Sequence, residues 1–105
     1  MNKTIINNIK ICLDTIKGIN TTSTKKAGYF SIFYDIKKAF DFCYDMTNCS
    51  IFDINCCVDM YDLKKAVNMN FEGVTKKELE KMCRRSISFL QYQLSELYAH
   101  YTILV

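Results

Sequence analysis

Apolar residues recur along this chain at helical spacing in four blocks. In the first block Ile5, Ile9, Cys12 and Ile16 lie three or four residues apart, and Ile6 and Leu13 widen the stripe. This predicts a helix from Thr4 to about Lys17, with Gly18 as its C-terminal stop. The polar run from Asn20 to Thr24 follows and reads as a loop, with Ser23 or Thr24 placed to cap the next element. A second helix is expected from about Lys25 to Met46, where Tyr29, Phe33, Ile36, Phe40 and Cys43 make one aromatic-rich stripe.

The pattern breaks between Thr47 and Ser50. Ser50 with Asp53 resembles a helix start, and Phe52, Cys56, Met60, Leu63 and Val67 form the stripe of an expected third helix. The fourth block has the clearest boundary. Thr75 and Glu78 are spaced as a capping box, and Val74 and Leu79 occupy the two positions of a hydrophobic staple. From there Leu79, Cys83, Ile87, Leu90, Leu94, Leu97 and Tyr101 run close to a heptad seam. The helix they predict is roughly 25 residues long, about 37 Å at 1.5 Å per residue. A second apolar line of Met82, Phe89, Tyr92 and Ala99 lies off that seam, so this helix is either central in its own bundle or shared with another chain as a homodimer contact.

Composition supports the helical reading. The chain has no proline and only three glycines, so it lacks the breakers that punctuate a sheet protein. At 105 residues, half of them apolar, it is sized for one domain with a real core and is too short for two. The expectation is an all-α fold over residues 1–105, a compact bundle of about four helices with a long C-terminal helix. Lysine outnumbers arginine twelve to two, and Ile, Asn, Phe and Tyr are abundant, the bias of an A/T-rich coding sequence such as that of a virus, a phage or a low-G+C bacterium.

No segment reaches the roughly 18 to 20 continuous apolar residues of a membrane span. Lys3, Asn7, Asn8, Lys10 and Asp14 interrupt what would be the apolar core of a signal peptide. The expected location is therefore cytoplasmic, in the host cell if the source is viral. In that setting the six cysteines are expected as reduced thiols that pack as small hydrophobes.

Charge is segregated along the chain. Residues 1–34 sum to +4, residues 35–62 to −4 and residues 63–105 to +3. Lys76, Lys77, Lys81, Arg84 and Arg85 gather at the start of the fourth helix and make a candidate phosphate-binding group. Against it, Lys76 and Arg84 share no narrow face, and a solvated helix surface explains such a cluster.

The thiols suggest two further readings. Cys43, Cys49, Cys56 and Cys57 lack the paired spacing of a zinc knuckle, so no metal is expected. Cys43, Cys49 and Cys56 bracket the loop after the second helix and are the candidates for a thiol redox switch. His100 is the sole histidine, about 25 Å along the helix from Cys83, too far for a nucleophile and base pair within one chain. No phosphate loop, Ser-centred elbow or paired-histidine motif is present, so no catalytic residue and no cofactor are expected.

The preferred reading is a non-enzymatic protein-protein interaction module, a regulator or inhibitor of the viral or phage accessory or immunity type, with Phe89, Tyr92 and Tyr98 as anchors for a partner protein. The aspartates of the second and third helices would be its steering surface. Nucleic-acid binding and thiol sensing are the two alternatives.

Overall fold

The computed structural model describes residues 2–103. Its elements are α1 (Asn2–Lys17), α2 (Gly28–Thr47), two 3₁₀ turns (Ser50–Phe52 and Ile54–Cys56), α3 (Val58–Asn68) and α4 (Lys76–Ile103), with no strand among the described residues. The chain is an all-α bundle, 49 × 22 × 18 Å, with a long C-terminal helix.

The helices alternate in direction. Asn8, midway along α1, donates to the carbonyl of Met46 near the end of α2, while Thr15 and Gly18 at the end of α1 border a cleft with Asp35 and Lys38 earlier in α2, so these two run antiparallel. At the opposite end Lys26 Nζ donates to the carbonyl of Phe71 and Lys76 Nζ to that of Thr24, which brings the starts of α2 and α4 together. α3 has only 11 residues against 28 in α4, so it can line only part of the longer helix. It packs beside the first turns of α4, where Asp59 and Asp62 border the same cleft as Lys81 and Arg85.

The core is built on the stripes of the first, second and fourth helices read from the sequence. Ile9, Cys12 and Ile16 of α1, Ile36, Phe40 and Cys43 of α2, and Leu79, Cys83, Leu90 and Leu94 of α4 are all fully or almost fully buried. Burial of this kind contributes roughly 25 cal/mol per Å² of apolar surface, and it is what holds short helices that would fray alone. The capping box at α4 forms in both directions: Glu78 N–H donates to Thr75 Oγ and Thr75 N–H to Glu78 Oε1, each at 3.2 Å. Leu79, its staple residue, is fully buried and Val74 packs against the core.

Two boundaries differ from the sequence expectation. α2 begins at Gly28 rather than Lys25, because the Ser23 hydroxyl accepts from Lys25 N–H and donates to Lys25 C=O, closing a turn that holds residues 23–25 out of the helix. That turn lies so close to Gly28 that a β-carbon there would collide with the Ser23 side chain. The third helix begins at Val58 rather than near Ser50. Cys49, Asp53 and Cys57 adopt extended dihedrals, and Asp53 accepts from Asn55 N–H at 2.8 Å, capping the second 3₁₀ turn instead of an α-helix. Short polar side chains offer such local bonds in competition with helix. Phe52 still reaches the core, but Cys56 is exposed and Ala66, rather than Val67, completes the buried line of α3.

The link from α3 to α4 is tightly wound. Phe71 N–H donates to Ala66 C=O and Asn70 N–H to Val67 C=O, a Schellman stop with Asn70 in the left-handed position at φ 51°. Phe71 is left-handed too, at φ 61°, an unfavourable conformation for a bulky residue. Its ring is buried and packs 4.4 Å from that of Phe30, plugging this end of the bundle.

Candidate functional site

The residues expected to act split into three surfaces and a buried pair. On α4, Phe89 is half-buried and its ring stacks on Phe40 at 6.0 Å, so it belongs to the bundle. Tyr98 is also half-buried and packs on the core, whereas Tyr92 is 63% exposed. The off-seam line of α4 is thus divided. Met82 and Phe89 face its own helices, and Tyr92 and Ala99 face solvent.

The basic group gains members that lie far away in sequence. Lys25 and Lys26 stand beside Lys76 around an open cleft of about 710 Å³ between the two end loops. Part of that charge has internal work: Lys26 and Lys76 each hold a backbone carbonyl of the opposite loop, and Arg84 pairs with Glu80 at 3.6 Å. Lys77, Lys81 and Arg85 are exposed. Glu78 sits among them, its carboxyl held below the ordinary value by the Thr75 N–H and hydroxyl that bond to it.

The outer face of α2 and the 3₁₀ turns form the third surface. Tyr34, Lys38, Asp41, Tyr44 and Asp45 are exposed on this face, and Tyr44, Asp41 and Lys37, which pairs with Asp41 at 3.5 Å, border an open cleft of about 340 Å³ with Asp53. The acidic middle of the chain therefore carries aromatic side chains at the surface, on positions opposite the apolar stripe. The sequence signal for this face is the 4-3-4 spacing of Tyr34, Lys38, Asp41 and Asp45.

The thiols are dispersed. Cys43 is fully buried, Cys49 half-buried and Cys56 exposed, its sulfur 3.7 Å from the carbonyl of Ser50. The partner that the fold gives Cys43 is Cys12 of α1, and the neighbouring Cys12 thiol together with burial pushes the Cys43 thiol far above the ordinary range. Burial alone pushes Cys83 up to about 12. Among the described residues no three His, Cys, Asp or Glu side chains converge closely enough to hold a metal ion. His100 is exposed and lies edge-on to Tyr101 at 5.3 Å.

No helix among the described residues is long and apolar enough to cross a membrane. Comparisons with protein-family models, with curated proteins and with solved structures find no match for the chain.

Proposed function

We propose that the protein is a non-enzymatic interaction module, of the regulator or inhibitor type, that binds a partner protein through the outer face of α2 and the adjoining 3₁₀ turns. The observation that carries this reading is the exposed grouping of Tyr34 and Tyr44 with Asp41, Asp45 and Asp53. Exposed tyrosines supply large apolar contact with a polar tip, and they anchor interfaces more often than aliphatic residues do. Asp41 is paired with Lys37, whereas Asp45 and Asp53 take part in no ion pair among the described residues and favour a basic group on the partner. Tyr92 remains an accessory anchor on α4.

The test is capture with chemical cross-linking from the protein's own source cells, comparing the wild type with Tyr44→Ala/Asp45→Lys and with Lys77→Glu as a surface control. The reading expects a defined protein that is retained by wild type and control and is lost from the α2 variant. Capture that ignores Tyr44 and Asp45 overturns it.

A second reading is supported by the convergence of Lys25 and Lys26 with Lys76, which makes one end of the bundle basic. Nucleic-acid binding through that end with Lys77, Lys81, Arg84 and Arg85 would weaken steeply with salt, because each neutralised phosphate releases counterions. Fluorescence polarisation with duplex and single-stranded probes at low and moderate salt tests it. Absence of binding at low salt, or binding indifferent to charge reversal at Arg84 and Arg85, removes it.

A further inference from the structure

α3 and its C-cap residue Met69 carry a row of exposed side chains along the edge of the helix, whose Asp62 also borders the cleft that holds Lys81 and Arg85 of α4. Val58, Asp62, Lys65 and Met69 are spaced 4-3-4, the spacing that keeps side chains in one straight row along a helix. All four are exposed, Val58 at 75% and Met69 at 57%, while Met60, Leu63 and Ala66 of the same helix are buried. Neither Asp62 nor Lys65 takes part in an ion pair among the described residues. The Lys65 ammonium lies 5.6 Å from the ring of Tyr61, which flanks the row and is 52% exposed.

The order of these residues is the notable feature. Read from either end, the row is apolar, charged, charged, apolar, with the two charges opposite in sign. A two-fold axis near the midpoint between Leu63 and Lys64 would set Val58 against the partner's Met69 and Asp62 against the partner's Lys65. Symmetry then generates every contact twice, as in any isologous interface. Parallel pairing would instead oppose Asp62 with its own copy and be repelled. We propose that a second copy of this chain docks on the outer face of α3, antiparallel, through Val58, Asp62, Lys65 and Met69.

This surface is distinct from the α2 face assigned to the partner protein, so self-association adds to that function. Its size sets its strength. Eleven residues span about 16 Å, and a single helix pair of that length falls short of the roughly 1,200 Å² that stable complexes bury. The dimer is therefore weak, with a dissociation constant on the order of 100 µM, and it forms where the protein is concentrated or tethered.

The experiment is sedimentation velocity of the full chain at low salt, from low-micromolar to near-millimolar concentration. It compares the wild type with Asp62→Lys, Lys65→Asp, the double swap of both, and Val58→Asp, with circular dichroism confirming the fold of each. Concentration-dependent dimerisation is expected. Each single reversal should weaken it at least about tenfold by creating two like-charge contacts, and the double swap should restore it. Val58→Asp should weaken it with both original charges in place. A monomer at every concentration overturns the proposal, as does a dimer that ignores the single reversals but is weakened by Tyr92→Asp, which would place the contact on α4. Failure of the double swap to recover dimerisation overturns it as well.

Discussion

Phe71 offers a test of the fold in which two energetic contributions have opposite signs. Its ring is 2% exposed and packed against Phe30, while its backbone is left-handed at φ 61°. Replacing Phe71 by alanine removes the ring and keeps the strain, a change that costs about 3–5 kcal/mol for a buried phenylalanine. Replacing it by glycine removes the same ring but relieves a left-handed penalty of about 1–2 kcal/mol, less about 0.5–1 kcal/mol for the greater freedom of glycine in the unfolded chain. Phe71→Gly should therefore be the more stable variant by about 0–1.5 kcal/mol, the reverse of the order seen within helices and strands. For a domain of this size the alanine variant should melt about 15–25 °C below wild type, with the glycine variant a few degrees above it. Urea unfolding followed by circular dichroism, with a check that the slope is unchanged, measures both differences. An alanine variant more stable than the glycine variant would refute the left-handed assignment. A cost below about 1 kcal/mol for both would refute the role of Phe71 as the plug of the bundle end.

Three further outcomes follow from the packing and the titrating groups. Phe89→Ala should lower stability by about 2–3 kcal/mol because its ring stacks on Phe40, whereas Tyr92→Ala should stay within about 0.5 kcal/mol; equal costs in urea unfolding would contradict the division of α4 into packed and free aromatics. The depressed carboxyl of Glu78 adds stability that is fully present above its ordinary value of 4.5 and is lost as pH falls through its lower folded value. Thr75→Ala should cost about 1 kcal/mol at neutral pH and flatten that acid limb, as seen in melting temperatures between pH 2 and 6. In native protein Cys56 should react first with a thiol reagent and Cys49 more slowly, with Cys12, Cys43, Cys57 and Cys83 silent until unfolding. Mass spectrometry of timed labelling reads the order, and early labelling of Cys83, whose thiol is pushed up to about 12, would contradict its burial.

The aromatic surface of α2 and the outer row of α3 were both present in the sequence pattern, but only as positions opposite a buried stripe. Knowing that Val58 and Met69 lie uncovered requires knowing that no other helix passes over them. The basic end was legible only in part. Lys76 and its neighbours on α4 are close in sequence, whereas Lys25 and Lys26 are brought beside them by two bonds between the end loops, Lys76 to the Thr24 carbonyl and Lys26 to the Phe71 carbonyl, which span 52 and 45 residues. The cysteines followed the same rule: adjacency in sequence pointed to Cys49 and Cys56, and packing gave Cys43 to Cys12.

What the sequence determined by itself was whatever depends on neighbours three or four residues apart. The stripes of α1, α2 and α4, the stop at the end of α1 and the capped start of α4 at Thr75 and Glu78 are of this kind, since they rest on neighbours within one helical turn. The tertiary structure decided the rest. Residues 50–57 hold similar apolar spacing to a helix, yet local bonds from Asp53 compete with helix there, and Phe52 satisfies the core from a 3₁₀ turn. Phe71 takes a left-handed backbone that its own preferences oppose, because burial of its ring between the ends of α2 and α3 outweighs the strain. A local backbone preference is worth about 1 kcal/mol and a buried aromatic ring several, so packing prevails at Phe71.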